Sequence, residues 1–213
     1  MKKLSIKSKK RILEITALVF FLSGLLLLVF YKVHNMNLDK KEQEMIDIYF
    51  ENQVKEVNLD EEVIEDNGGE EKEEPPIIHY NYIGVLEIPS INLRKGFTSI
   101  DDKDNDLNKN IQVLKESDMP DVVGGNLIIA GHSGTGRIAF FKNIKKLSLK
   151  DFIYIYYQNK KYIYEIVDIY EIEKNGTMVL KKNKNETMLT LITCSMSDNK
   201  KQIVITSYLK QID

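Results

Sequence analysis

The strongest pattern in the chain is an apolar segment close to its start. Residues 15–31 are almost entirely apolar, and Ile12 and Leu13 extend this run toward the N-terminus. A helix needs about 20 apolar residues to cross the ~30 Å hydrocarbon core of a bilayer. The pattern therefore predicts one transmembrane helix over residues 12–31.

The charges on the two sides of this segment predict its orientation. Basic side chains are concentrated in front of it, at Lys2, Lys3, Lys7, Lys9, Lys10 and Arg11. Behind it, Lys32 is soon followed by Asp39 and Glu42. The positive-inside rule then predicts a cytoplasmic basic tail over residues 1–11 and an extracellular location for the rest of a single-pass membrane protein. A cleaved signal peptide is the alternative, but its apolar region is shorter and a small-x-small site follows it, which the residues after Tyr31 lack.

Residues 32–79 are predicted to form a spacer with two parts. Between residues 35 and 57, apolar side chains such as Ile46 and Tyr49 recur near one helix face among Lys and Glu residues. This part is predicted to continue the membrane helix outward or to pack on a neighbouring element. The strongly acidic residues 58–74 repel one another and bury little, so they are predicted to form an extended connection.

From residue 80 onward the pattern changes to short strand-like segments separated by turn signals. The segments rich in Ile, Val, Leu, Tyr and Thr are residues 83–88, 126–130, 152–156, 162–172, 188–193 and 203–209. Residues 101–115 are predicted to form a turn and a short helix, and residues 140–147 a helical turn. The pattern predicts an all-β sandwich or small barrel over residues 80–213.

Composition excludes several classes of function. The formal net charge of −2 does not indicate the basic surface that a nucleic-acid-binding protein needs. The single cysteine excludes an intrachain disulfide framework and a multi-cysteine zinc site. The acidic run at Asp101, Asp102, Asp104 and Asp106 raises the possibility of Ca²⁺, but it lacks the central Gly and terminal Glu of an EF-hand. We therefore predict a solvated turn there and no cofactor.

The candidate chemistry centres on that cysteine, Cys194, which follows the strand-like residues 188–193. A thiol needs a base or an ion-pair partner to become a useful nucleophile near neutral pH. Of the three histidines, His34 lies just behind the apolar segment, His79 in the spacer and His132 in a loop directly after the strand-like residues 126–130. We hypothesise that Cys194 and His132 form a catalytic pair, against the simpler alternative of a structural thiol and an ordinary loop histidine.

The glycine-rich loop that holds His132 fits neither of two well-known motifs. In the phosphate-binding Walker pattern, Arg137 would replace the lysine and Ile138 the Ser or Thr. In the Gly-x-Ser-x-Gly elbow, Thr135 would occupy the final glycine position. The loop is therefore interpreted only as a strand-end loop that allows close backbone approach.

The motifs together resemble those of the sortase family, the membrane-anchored cysteine transpeptidases of Gram-positive bacteria. The resemblance rests on Ala130-Gly131-His132 after a strand, on Phe140 to Ile144, and on Thr190-Leu191-Ile192-Thr193-Cys194. It extends over about residues 82–209 and includes the opening Ile83-Gly84-Val85-Leu86-Glu87-Ile88-Pro89. The predicted N-terminal anchor agrees with it independently.

The resemblance implies a closed barrel of about eight strands with short helices, preceded by the membrane helix. It implies that residues 80–213 form a catalytic domain in which the Cys194 thiolate attacks a Leu-Pro-x-Thr-Gly-like sorting signal on surface proteins. His132 would protonate the departing amine. A peptidoglycan precursor amine would then resolve the acyl-enzyme, which anchors the protein to the cell wall.

One position departs from the family pattern. Sortases carry an arginine at the start of the last strand, which holds the substrate and helps to stabilise the oxyanion, whereas this chain has Gln202 there. A glutamine amide donates hydrogen bonds without a charge. We hypothesise that Gln202 takes this role; the alternative is that Lys201 or Arg137 reaches into the site.

Two other classes of function stay open at this point. One is a different cell-surface cysteine peptidase, although papain-like proteins place the cysteine before the histidine and no caspase-type signature is present. The other is a sortase-fold binding or sensor domain with weak or no activity, which the missing arginine favours. The reactivity of the Cys194 thiol distinguishes an enzyme from a binding domain.

Overall fold

The computed structural model describes residues 6–59, 81–174, 183 and 185–213. The chain divides into two compact units, Met1–Gln43 and Glu44–Asp213. Most of the acidic segment that was predicted to form an extended connection lies outside the described residues, so that prediction stays untested.

The described part of the first unit is the N-terminal part of a single long helix, α1, which runs over Ile6–Leu59. The stretch Glu14–Val54 contains a part long and apolar enough to cross a membrane, and that part is not buried within the chain. The prediction of one apolar N-terminal helix is therefore confirmed. The helix continues well beyond residue 31 because residues 32–59 contain no Gly or Pro and are rich in Lys, Glu, Gln and other good helix formers.

Eight strands and two short 3-10 helices make up the described part of the second unit besides the end of α1. The strands are β1 (Tyr82–Ile88), β2 (Leu93–Thr98), β3 (Gln112–Val113), β4 (Asn126–Ala130), β5 (Phe152–Tyr157), β6 (Lys160–Glu173), β7 (Met188–Cys194) and β8 (Lys201–Ile212). The 3-10 helices are Pro89–Ile91 and Ile144–Lys146. The second of these lies within the predicted helical turn.

The strands form one sheet in the order β2-β1-β5-β6-β8-β7-β4-β3. Only β4 and β7 pair in parallel, while the other neighbours are antiparallel. The two edge strands, β2 and β3, approach each other. Asn110 lies just before β3, and its side-chain amide donates to the main-chain oxygen of Gly96 in β2 at 2.7 Å. The sheet is thus a nearly closed mixed barrel, and the predicted barrel of about eight strands is confirmed.

Alternate residues of the central strands point to opposite faces of the sheet. Leu189 and Leu191 of β7 and Ile205 of β8 belong to the main hydrophobic core, together with Tyr162 and Tyr164 of β6. The residues in between face the other way. The barrel interior therefore fixes which side chains of β7 and β8 are presented on the outer face.

The C-terminal part of α1 packs on the barrel within the second unit. Ile46 is fully buried. The Tyr49 hydroxyl lies 3.3 Å from the main-chain oxygens of Ile83 and Tyr156, on the neighbouring strands β1 and β5. Both possibilities that the sequence left open for residues 35–57 are found, since α1 runs unbroken to Leu59 and its part from Glu44 packs on the barrel.

Aromatic contacts extend this packing. The Phe50 ring meets the Tyr156 ring edge to face, with centroids 5.0 Å apart and planes at 86°. The Arg94 guanidinium of β2 lies 5.0 Å from the Phe50 centroid and 3.6 Å from an Asp47 carboxylate oxygen. Burial, followed by a hydrogen bond to Glu87, raises the pKa of Tyr156 to about 12. Phe50 therefore joins the helix to two strands through interactions worth ~0.5–1.5 kcal/mol each.

The short helix predicted within residues 101–115 is wrong. This stretch forms turns and then β3. The buried side chain of Asn105 provides the reason, because its amide donates to the main-chain oxygens of Ile100 and Val113 and its oxygen accepts from the Val113 amide. Side-chain hydrogen bonds of Asn to nearby backbone compete with helix formation.

Replacing Phe50 tests the packing of the helix on the barrel. Phe50→Ala removes the edge-to-face contact with Tyr156 and the cation–π contact with Arg94, so we expect the free energy of unfolding to fall by about 1–2 kcal/mol. The measurement is urea unfolding of the full chain in detergent micelles, followed by tyrosine fluorescence. Asn52→Ala, on an exposed position of the same helix, is the matched control. Equal unfolding midpoints for the two variants would contradict this packing.

Candidate active site

The parallel pairing of β4 and β7 brings the two candidate catalytic residues to the same edge of the barrel. Ala130, the last residue of β4, is the register partner of Ile192. His132 follows Ala130 by two residues, and Cys194 follows Ile192 by two residues. Because parallel strands run side by side in the same direction, both residues leave the sheet at equivalent positions. Both are half-buried.

Three hydrogen bonds fasten the His132 loop to the end of β7. The Gly131 amide donates to the Ile192 oxygen at 3.0 Å. The Thr193 hydroxyl donates to the Gly131 oxygen at 2.7 Å, and the Ser133 hydroxyl donates to the Cys194 oxygen at 2.7 Å. The residues before and after His132 are therefore tied to the residues around Cys194, which gives Thr193 and Ser133 a structural role.

Gly131 allows the loop to approach a buried aromatic ring. A Cβ atom at this position would lie 2.7 Å from ring atoms of Phe141, and Phe141 is fully buried. The Phe141 amide in turn donates to the His132 oxygen at 2.9 Å. The Phe141 ring thus packs directly against the loop backbone at residue 131, and only glycine fits at that position.

Gln202 lies beside Cys194. It is the direct register partner of Cys194 in the antiparallel pair of β7 and β8. Directly opposed residues of neighbouring strands project to the same face. On its other side, Gln202 pairs with Ile172 of β6. The sheet therefore projects the side chains of Gln202 and Cys194 to the same face, opposite the main core.

The charged groups around the site include Lys201 and Arg137, the two residues that the sequence offered as alternatives to Gln202. The Lys201 ammonium lies 3.7 Å from a Glu171 carboxylate oxygen. Arg137 is exposed. The ammonium of Lys174 lies 3.7 Å from the Cys194 sulfur. Sequence reasoning missed Lys174 because its proximity to Cys194 depends on the pairing of β6 with β8, which no motif signals.

The acidic run forms a closed turn. The Lys109 ammonium donates to Asp104 at 2.7 Å, and this hydrogen bond lowers the pKa of the Asp104 carboxyl. The carboxylates of Asp102 and Asp106 accept main-chain amides two residues further along the chain. Among the described residues, no group of three or more His, Cys, Asp or Glu side chains is arranged to hold a metal ion.

Comparison with known proteins places this fold and these motifs in one family. The family model for the sortase domain matches residues 86–210. The chain is 30% identical over 125 residues to sortase A of Bacillus anthracis, covering 58% of this chain and 57% of that protein. It is 30% identical over 111 residues to sortase D of Bacillus subtilis strain 168, covering 52% and 53%. The chain thus spans about half the length of the curated relatives it matches.

Comparison with solved structures supports the same family. Sortase A from Corynebacterium diphtheriae is 26% identical with a TM-score of 0.55, and the match covers 62% of each chain. The sortase D5 transpeptidase of Clostridium perfringens is 26% identical with a TM-score of 0.54, and the match covers 81% of this chain and 98% of that one. The chain belongs to the sortase family. Because the relatives include both A and D sortases, the family is assigned without a subclass.

The close approach at Gly131 is testable with alanine substitutions. Gly131→Ala forces its methyl group against the Phe141 ring, so we expect a loss of about 1–3 kcal/mol in the free energy of unfolding and a displaced His132 loop. Gly136→Ala is the matched control in the same loop, since a Cβ there meets nothing within 4 Å. Thermal unfolding of the full chain in detergent measures the difference. If both variants have the same melting temperature as the unchanged protein, the Phe141 contact does not constrain the loop.

Proposed function

We propose that the chain is a cysteine transpeptidase that cleaves a Leu-Pro-x-Thr-Gly-like sorting signal through a thioester on Cys194. The observation that carries this proposal is the parallel register of β4 and β7, which brings His132 and Cys194 out of the sheet at equivalent positions. A nucleophile and a general acid–base at one strand edge are what acyl transfer requires. The name of the Clostridium perfringens relative, a transpeptidase, supports the same class of reaction.

In the first half-reaction, the Cys194 thiolate attacks the carbonyl carbon of the threonine in the signal. A carbon–sulfur bond forms and the carbonyl electrons move to the oxygen, which becomes an oxyanion. The oxyanion then collapses, the bond between the threonine carbon and the glycine nitrogen breaks, and the His132 imidazolium protonates the departing amine. The product is a thioester on Cys194 and a neutral His132.

In the second half-reaction, an amine of a peptidoglycan precursor attacks the thioester. Neutral His132 takes a proton from the incoming amine, and the carbon–sulfur bond breaks to release the thiolate. The starting protonation states of both residues are restored. Water is the poorer acceptor in this scheme, so the main product is a surface protein joined to the cell wall.

Gln202 is proposed to stabilise the oxyanion. Its register opposite Cys194 favours this role over the two alternatives, because Lys201 is engaged with Glu171 and Arg137 is exposed. A side-chain amide donates a hydrogen bond to an oxyanion without supplying a charge.

The cellular setting is proposed from the long apolar helix and the charges around it. Residues 1–11 lie in the cytoplasm, residues 12–31 cross the membrane and residues 80–213 act outside the cell, after a spacer over residues 32–79. This arrangement presents the site to surface proteins that carry a sorting signal, and to wall precursors.

A peptide assay tests the reaction. The full chain in detergent micelles is incubated with a library of sorting-signal peptides and an amine acceptor, and mass spectrometry is used to find an acyl adduct on Cys194. Cys194→Ala should abolish the adduct, and His132→Ala should slow transpeptidation by about 10²–10⁴-fold. His34→Ala, which removes a histidine from α1, is the matched control. Slow, equal thiol labelling of the unchanged protein and His132→Ala, with no adduct, would favour a sortase-fold binding domain instead.

The role of Gln202 is tested separately. Gln202→Ala removes the proposed oxyanion donor, so we expect the transpeptidation rate to fall by about 10²–10³-fold, with little change in the affinity for the peptide. Arg137→Ala should leave the rate unchanged, because in this scheme Gln202 supplies the hydrogen-bond donor without Arg137. The assignment fails if Gln202→Ala is fully active while Arg137→Ala is inactive.

A further inference from the structure

The sulfur of Cys194 has a positively charged neighbour that the proposed mechanism does not use. The ammonium nitrogen of Lys174 lies 3.7 Å from this sulfur. Lys174 directly follows the last residue of β6, Glu173. No motif in the sequence identified this lysine as a candidate.

The backbone of Lys174 is held in place by the sheet. Its amide donates to the Lys200 oxygen at 2.6 Å, which continues the pairing of Glu173 with Lys201. Lys174 is two residues beyond Ile172, so both project to the same face. Ile172 pairs with Gln202, and Gln202 pairs with Cys194. Three neighbouring strands therefore direct Lys174 and Cys194 to one face.

In the part of the chain that the structure describes, the acidic residues next to Lys174 on β6 are not placed to neutralise its charge. Glu171 and Glu173 alternate with Ile172 along β6 and so project to the opposite face. Glu171 also accepts a hydrogen bond from the Ser195 hydroxyl at 2.8 Å, and it lies 3.7 Å from the Lys201 ammonium.

Further titratable groups among the described residues lie on the elements around Cys194. Tyr170 of β6 pairs with Val204 of β8 and so shares the face of Cys194, four residues before Lys174 along the chain. Asp168 shares the face of Cys194 but is six residues from Lys174 along the chain, near Thr206, its register partner on β8. In the loop before β8, the Asp198 carboxylate accepts the amide of Lys200 at 2.9 Å. In the loop after β4, His132 occupies the position equivalent to that of Cys194 after β7.

We propose that Lys174 is a second cation, in addition to the His132 imidazolium, that stabilises the Cys194 thiolate during the reaction. This inference rests on the proposed function, since a charge on the sulfur matters only if Cys194 is a nucleophile. Coulomb attraction between unit charges about 4 Å apart changes an equilibrium by about fivefold even in water, and by more where water is partly excluded. A neutral amide such as that of Gln202 cannot supply this attraction.

Lys174 and Gln202 then act at different stages. Before attack the negative charge is on the sulfur, where Lys174 stabilises it. During attack the charge passes to the carbonyl oxygen, where Gln202 donates. In the second half-reaction the incoming amine displaces the Cys194 thiolate from the acyl group. The negative charge then returns to the sulfur, where Lys174 stabilises it. Lys174 stays protonated throughout, so it transfers no proton.

The test uses alkylation of Cys194 by iodoacetamide, which needs no peptide substrate. The rate is measured for the full chain in detergent micelles between pH 5 and pH 9. Lys174→Met should slow alkylation at pH 6 by about three- to tenfold and move the midpoint of the pH profile upward. Lys174→Arg, which keeps the charge, should restore most of the rate. Lys200→Met is the matched control, because it removes an equal charge from the residue that pairs with Lys174.

The outcomes separate this inference from the proposed function. An unchanged pH profile in Lys174→Met, or an equal shift in Lys200→Met, overturns the pairing of Lys174 with the thiolate. A shifted profile in Lys174→Met without any peptide adduct on the unchanged protein supports the pairing but overturns transpeptidation. If Lys174→Met has the expected profile, its transpeptidation rate should fall with the alkylation rate, while its thermal unfolding stays that of the unchanged protein.

Discussion

The arrangement of the candidate site depends on one feature of the sheet, the parallel pairing of β4 with β7. In an otherwise antiparallel barrel, this pair sends two strands out at the same edge, and it sets Ala130 level with Ile192. The hydrogen bonds from Thr193 and Ser133 then close the gap between the two strand ends. A shift of one residue in this register would turn Cys194 toward the core, because side chains alternate between the two faces.

A second level of organisation comes from β8, which lies between β6 and β7. It brings Gln202 next to Cys194 on one side and next to Ile172 on the other. The outer face of these three strands thus collects an amide, a thiol and an ammonium group from three different parts of the sequence. Lys201 and Glu171 pair with each other, which keeps their charges in a separate interaction.

Much of this structure could be predicted from the sequence, and the exceptions have physical reasons. β4 and β7 were predicted closely because strands buried on both faces are nearly continuous apolar or Thr-rich runs. β2 was missed because it contains Arg94, Lys95 and Gly96, residues that do not suggest a buried strand. Lys95 is buried nonetheless, since its ammonium lies 3.6 Å from the centroid of the Phe140 ring. Likewise, Lys174 could not be found from motifs, because its place beside Cys194 depends on strand pairing.

The packing of Phe50 and Tyr49 on β1 and β5 has a consequence for how the end of the helix stays with the barrel. Residues 60–80 join the two covalently, so their association is intramolecular. Because the association is intramolecular, a contact that would be weak between separate molecules is sufficient to hold the helix end in place. Small changes in these few contacts would therefore alter the fraction of time that the helix end spends on the barrel, while the covalent connection keeps it within reach.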